Sequence, residues 1–187
     1  MRTTKTSQLM SSDIVVLKII QSMSQLNFSQ LMEIYEESNI LAGQESYPML
    51  SYYSGIREAE QDFYDYLSSI FFRQDNSFYA VWLENGVYVS ALRLEPYRKH
   101  LLLCALETAP HMRCKGYACK LLRAVIDYLM KQGSGIIYSH VSKHNVASLN
   151  AHLKCGFKII QNHAVYSDGS VLPNSYTLSF EYKKTET

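Results

Sequence analysis

Along this chain of 187 residues the spacing of apolar positions changes several times, and each change marks an element. Ile14 to Ile20 form an apolar run broken only by Lys18, which predicts a strand over 13–20. Phe28, Leu31, Met32 and Tyr35 then recur at the three- and four-residue intervals of one helix face, with Asn27 or Ser29 as the cap. That helix is expected to end near Asn39. The stretch LAGQESYPMLSYYSG, 41–55, is rich in turn formers and Tyr and reads as an irregular aromatic loop. Phe63, Tyr66, Leu67, Ile70 and Phe71 restore a helical period for a second helix.

From Ser77 onward the period is that of a sheet. Strands are expected over 78–83, 87–94 and 101–108, with Asn85-Gly86 as a two-residue hairpin turn joining the first two. Leu121, Leu122, Val125, Ile126, Leu129 and Met130 make a broad apolar stripe on a helix that stops at Gly133. A strand over 135–141 follows, and strand, helix and strand with short connections normally pair in parallel. A shorter helix over 145–154 ends at Cys155-Gly156, and two last strands, 157–166 and 172–182, are joined across Ser167 to Ser170 as a hairpin. The expected fold class is α/β (α+β): a mixed, mostly antiparallel central sheet of six to seven strands flanked by about four helices, in one domain over 1–187.

Charge and composition narrow the function classes. Eighteen Lys plus Arg against seventeen Asp plus Glu leave a formal charge of +1, which argues against a nucleic acid partner held through its phosphates. No apolar run approaches the ~20 residues that cross a bilayer, and no membrane partner is expected. The first residues, MRTTKTSQLMSSD, lack the apolar centre of a secretory signal, so a cytoplasmic location is expected. Cys104, Cys114, Cys119 and Cys155 form no CxxC pair and have no His partners at zinc-finger spacing, so no metal site is expected. They read as thiols, Cys104 as a core residue.

The candidate chemistry lies between the 101–108 strand and the long helix. A turn that opens directly onto a helix N-terminus exposes unpaired backbone N–H groups, and Gly116 and Ala118 leave room for a ligand to approach the main chain. Arg113, Lys115 and Lys120 can add positive charge, and a pyrophosphate suits such a pocket. Helix capping alone also explains one Gly and some Lys here. The segment has neither the second Gly and Lys-hydroxyl ending of a P-loop nor the GxGxxG of a dinucleotide fold.

The residues LETAPHMRCKGYA, 106–118, resemble the acyl-CoA signature of the GNAT N-acetyltransferase superfamily, [Q/R]-x-x-G-x-[G/A], with Arg113, Gly116 and Ala118 in its fixed places. The segment NVASLNAHLKCGF, 145–157, is similar to that family's second motif, N-x-x-A-x-x-L-Y-x-x-x-G-F. The resemblance covers about 77–166 and leaves the acceptor-binding segment, 39–57, uncovered. It implies that two parallel strands splay at a bulge and that the pantetheine arm lies between them. Leu106, Glu107 and Thr108 would then form one wall, and His140 to Ser142 the other. It further implies that the main chain of Arg113, Cys114, Lys115, Gly116, Tyr117 and Ala118 holds the pyrophosphate, and that Asn145 and Ser148 contact the cosubstrate, acetyl-CoA. Asn145 as a plain N-cap is an equally physical account.

Acetyl transfer needs a neutral amine, and an amine of pKa ~10.4 loses its proton at pH 7 at a cost of about 4.6 kcal/mol. Glu107, at the end of the strand flanking the thioester, is the candidate base, against the alternative of a merely solvated or salt-bridged carboxylate. A backbone N–H of the same strand would polarise the thioester carbonyl. Where the family often has a Tyr that protonates the departing thiolate, this chain has His152, either a weaker acid or a hydrogen-bonded packing residue. Tyr117, Tyr138 and Tyr166 are alternative donors, and Tyr47, Tyr52 and Tyr53 fall in the loop expected to suit the acceptor. No run of acidic residues marks a polyamine site. The expected activity is direct transfer of acetyl to a small-molecule primary amine, and a homodimer is one expected assembly. The rivals are a catalytically weak acyl-CoA-binding module and a thiol enzyme using Cys114 or Cys119.

Overall fold

The computed structural model describes residues 15–166 and 168–185. Nine strands and five α-helices follow one another along the described chain, and seven of the strands make one sheet in the order β1-β2-β3-β4-β5-β9-β6. Strand β1, Val15–Ile20, pairs antiparallel with β2, Phe78–Glu84; residues 13 and 14 of the expected first strand lie outside the described residues. Asn85-Gly86 turns β2 into β3, Val87–Tyr97, and β3 pairs antiparallel with β4, His100–Thr108. Helix α4, Tyr117–Gln132, then returns the chain to β5, Gly135–Ser142, which pairs parallel with β4.

The sheet carries a core on each face. On one, Leu121, Leu122, Val125, Ile126 and Leu129 of α4 pack with Leu92, Leu94, Leu103, Ile137 and Val141, and Ala151 of α5, Val146–Lys154, joins them. On the other, Leu31 and Ile34 of α1, Phe28–Ile34, and Leu67 of α3, Tyr52–Ser69, pack with Tyr79, Val81 and Ala91. Alternate strand positions therefore serve opposite layers, and both sheet faces are covered, which explains why β2 is apolar through its first half rather than alternating. Among the described residues no helix is long and apolar enough to cross a membrane.

Three regions differ from the sequence expectation. The first helix does not run on to Asn39. It breaks at Tyr35, whose hydroxyl donates to the Ala105 carbonyl at 2.8 Å, and the chain restarts as α2, Glu36–Ser46. Most of the expected aromatic loop is helical, because Gly43 and Gly55 are contact points rather than turn formers. A Cβ on Gly43 would sit 2.8 Å from the Gly55 carbonyl carbon and the Ile56 nitrogen, so α2 and α3 meet backbone to backbone. Ser51 caps α3 by accepting from the Ser54 amide, which leaves 47–51 as the turn.

The last hairpin is also subdivided. The expected strand over 157–166 is β6, Lys158–Gln161, on the sheet edge beside β9, Ser175–Tyr182, followed by β7, Ala164–Val165, which leaves the sheet. The turn near Gly169 closes a separate two-stranded ribbon of β7 with β8, Val171–Leu172. Tyr97 fastens that ribbon by donating to the Val165 carbonyl at 2.6 Å.

Candidate active site

Strands β4 and β5 pair at only three positions, Leu101 with Ile137, Leu102 with Tyr138 and Leu103 with Ser139. Beyond Leu103 they part. Each diverging end keeps its outer partner: Glu107 and Thr108 pair with Ala91 and Ser90 of β3, and His140 to Ser142 pair with β9. A bulge in β4 turns the strand away, because Ala105 and Leu106 together face the single Leu92, and Ala105 sits at φ 52°. The Tyr35 hydroxyl holds the bulge carbonyl in place.

The cleft so opened has a volume of about 850 Å³ and runs from the start of α4, past the strand ends, to Glu37, Ser38 and Leu41 of α2. Its α4 end is the expected anion turn. Gly116 is the N-cap, at φ 79° and ψ 11°, with no side-chain cap, and Cys114 is also left-handed at φ 61°. Among the described residues the amides of Cys114, Lys115, Gly116, Ala118 and Cys119 meet no acceptor, the first backbone bond of the helix running from the Lys120 amide to the Gly116 carbonyl. Such a terminus offers converging N–H groups and the positive end of a sixteen-residue helix to an anion.

The basic side chains point elsewhere. Arg113 gives Nη1 to Glu37 at 2.6 Å and Nε to the Thr108 carbonyl at 3.2 Å, tying the turn to α2 and to β4. Lys115 reaches back to the Met112 sulfur at 3.4 Å, and Lys120 covers the Tyr117 ring at 4.7 Å. Leu106, Thr108, Arg113, Cys114, Gly116, Tyr117, Ala118, Asn145 and Ser148 all border the cleft; Lys115 alone of the expected cosubstrate-binding residues does not. Asn145 caps α5 by accepting from the Ser148 amide at 3.0 Å, as its position in the sequence allows.

Glu107 lies in the cleft on the face of β4 turned toward α2. Ser38 donates to its Oε1 at 2.6 Å, leaving Oε2 unengaged by any described side chain. Burial pushes the Glu107 carboxyl above the usual carboxylate range, and Glu37 adds to this, while the Ser38 hydroxyl and the Arg113 charge pull it back. Neither Ser38 nor Glu37 stood out in the sequence, since their contacts cross 69 and 76 residues.

His152 is 1% exposed and lies beneath the cleft. Its Nδ1 is 2.8 Å from the Ser148 carbonyl, which only accepts, so Nδ1 carries the proton and Nε2 accepts from the Ser139 hydroxyl at 3.0 Å. Burial lowers its pKa. A neutral ring held this way has no proton turned to the cleft, which fits the packing alternative and not the acid. Of the other phenols, Tyr117 borders the cleft, but its hydroxyl lies 2.6 Å from both carboxylate oxygens of Glu84. Tyr138 packs on Tyr97 and His100, and Tyr166 on His140.

Two of the four thiols, Cys104 and Cys155, are held in their protonated form by burial. Burial first, then Glu95, pushes Cys104 up to about 12, and Cys104 is half-buried at the strand split rather than deep in the core. Burial likewise pushes Cys155 up to about 11. Among the described residues no group of His, Cys, Asp and Glu is placed to hold a metal ion.

The profile of the acetyltransferase (GNAT) family matches residues 29–157, more than two thirds of the chain. The chain belongs to the GNAT acetyltransferase family. No curated protein matches its sequence. Solved structures similar to this GNAT chain include the ribosomal-protein-S18-alanine N-acetyltransferase of Escherichia coli, at 15% identity and TM-score 0.60 over 92% of this chain and 97% of that one. The spermidine N-acetyltransferase of Vibrio cholerae, solved with CoA and spermine, is 17% identical with TM-score 0.57 over 91% and 96% of the two chains. The PaiA N-acetyltransferase of Thermoplasma acidophilum, solved with coenzyme A, is 17% identical with TM-score 0.56 over 89% and 99%. At these identities the likeness is one of fold, the mixed sheet with its flanking helices.

Proposed function

We propose that this GNAT chain is an acyl-CoA-dependent N-acyltransferase that moves acetyl from acetyl-CoA to a primary amine by direct attack. The observation that supports it best is one continuous cleft that joins an uncapped helix N-terminus to the split between two parallel strands. The amides of Cys114, Lys115, Gly116, Ala118 and Cys119 are suited to a pyrophosphate, and the freed inner edge of β4 offers N–H and C=O groups to the amides of a pantetheine arm. A main-chain N–H of that edge then faces the thioester oxygen, where negative charge develops.

Glu107 is the proton acceptor in this reading. Ser38 fixes one carboxylate oxygen and leaves the other for the amine, and burial raises its basicity toward that of the proton donor. His152 acts as a positioning group that holds the Ser139 hydroxyl against the cleft wall. No standing acid is needed for the sulfur, since a thiol of pKa ~8.5 leaves as thiolate at a cost of about 2 kcal/mol relative to its protonated form at pH 7.

A cationic acceptor suits the far end of the cleft. Helices α2 and α3 carry Glu36, Glu37, Glu45, Glu58, Glu60, Asp62 and Asp65 against the single Arg57, Glu37 of these bordering the cleft, although no one stretch of sequence is an acidic run. Spermidine is the named substrate of one structural neighbour, and an alanine of ribosomal protein S18 that of another. The test is calorimetry with acetyl-CoA, then turnover over a panel of amines with wild type and Glu107→Gln. The expected result is wild-type acetyl-CoA affinity in the variant with turnover reduced about 10²-fold or more. Absence of acetyl-CoA binding at high micromolar concentration refutes the reading.

A further inference from the structure

His140 is the first residue of β5 beyond its last pair with β4, Leu103 with Ser139, so it stands at the point of the split. Ile137 and Val141 of β5 pack into the α4 core and Ser139 faces His152. Residue 140 therefore faces the opposite layer, the one toward which β4 turns Glu107 to meet Ser38 of α2. Both ring nitrogens of His140 are buried, and neither has a hydrogen-bond partner among the described residues. A buried polar group left unpaired costs roughly 1–3 kcal/mol, and a Phe of the same outline would avoid that cost. The ring is held edge-on between Tyr97, at 5.7 Å, and Tyr166, at 5.1 Å. The Tyr97 hydroxyl is committed to Val165, while Tyr166 is 38% exposed at the start of the turn that joins β7 to β8.

We infer that His140 is a second proton acceptor for the amine, working from the strand opposite Glu107. This rests on the transferase reading and extends it. The nitrogen of a cationic amine must shed two protons to become an amide, and one carboxylate holds only one at a time. His140 takes the first, leaving RNH2. The nitrogen lone pair then forms the C–N bond, the C–S bond breaks with its electron pair staying on sulfur, and the second proton passes through Glu107 to the thiolate. His140 afterwards returns its proton to water, so that RNH3⁺ and acetyl-CoA yield the amide, CoASH and one H⁺.

The surroundings suit a neutral imidazole at pH 7. Burial first, then the Arg98 charge in the β3–β4 turn, lowers the pKa of His140. The rings against it are Tyr97 of β3 and Tyr166, the Arg98 charge lies near, and Glu95 of β3 stands behind them in contact with Cys104 of β4. Swinging Tyr166 aside is the movement that would admit an acceptor to the ring.

The experiment compares wild type, His140→Phe and His140→Asn by acetyl-CoA calorimetry, by acetyl transfer to tyramine and to spermidine, and by thermal melting. Wild-type acetyl-CoA affinity is expected in both variants, with kcat reduced about tenfold or more and one ionisation lost from the acid side of the kcat/KM pH profile. Because His140→Phe removes two unpaired nitrogens while keeping the ring, it is expected to melt at or above the wild-type temperature. Unchanged kcat and pH profile in His140→Phe overturn the proposal. So does a marked fall in its melting temperature, which would show the nitrogens to be structurally engaged. Wild type that turns over no amine refutes the transferase reading instead, and the melting comparison still reports on the nitrogens.

Discussion

Gly43→Ala sets two effects against each other. Gly43 lies inside α2, where Ala in place of Gly ordinarily stabilises a helix by about 1 kcal/mol. Here the added methyl would lie 2.8 Å from the Gly55 carbonyl carbon and the Ile56 nitrogen and 2.9 Å from the Gly55 oxygen. Carbon contacts are comfortable only near 3.5–4.0 Å, and the obstructing atoms are backbone, so no side chain can turn away. The helices must separate, and overpacking of this kind costs roughly 1–3 kcal/mol. The steric cost wins, leaving a net loss of up to about 2 kcal/mol and a melting temperature lower by up to roughly 8 °C for a chain of this size. Since α2 carries Ser38 and Glu37 to Glu107 and Arg113, turnover is expected to fall more than acetyl-CoA affinity. The assay is a pair of melting or urea-unfolding curves followed by kinetics on the folded variant. A Gly43→Ala protein that melts at or above the wild-type temperature would refute the backbone contact as the reason for glycine.

Ser38→Ala removes a hydrogen bond that favours the charged form of Glu107, so the carboxyl, already raised by burial, rises further. The base must be ionised to act; hence the acid limb of kcat/KM is expected to move to higher pH while the alkaline plateau holds. An unmoved limb would show that Glu107 is not the titrating base. Gly116→Ala and Gly116→Glu separate strain from charge at the N-cap: a Cβ meets nothing within 4 Å there, but φ is +79°. Both variants should lose about 1–2 kcal/mol of stability from the left-handed backbone, and only Gly116→Glu should abolish acetyl-CoA binding by calorimetry. Equal affinity in the two would remove the anion site from the α4 terminus.

The sheet and its helices were legible wherever a single period ruled a long segment. The stripe from Leu121 to Met130 announced α4, and the Asn85-Gly86 pair announced the β2–β3 hairpin. Reading failed where a residue has two meanings. Gly43 and Gly55 look like turn formers until two helices press on them, and the break falls at Tyr35, whose hydroxyl bonds a carbonyl 70 residues away. The same division holds at the cleft. The turn from Arg113 to Ala118 is local and could be read; the Ser38–Glu107 and Glu37–Arg113 contacts are products of tertiary packing. His152 stands where the family motif has Tyr, but its role depends on the Ser148 carbonyl and the Ser139 hydroxyl, which only the packing of α5 on β5 brings together.

The bulge at Ala105 has a mechanical consequence. It is tethered by Tyr35, the residue at which α1 gives way to α2, so the helix kink and the strand kink form one rigid joint. With β3 and β9 bracing the separated strand ends, the groove exists before any guest arrives. An entering thioester need not pry the sheet open. In the proposed transferase, substitutions that reshape the α2–α3 hairpin for a new amine would therefore be felt at the strand carrying Glu107, so that acceptor choice and reaction rate would vary together.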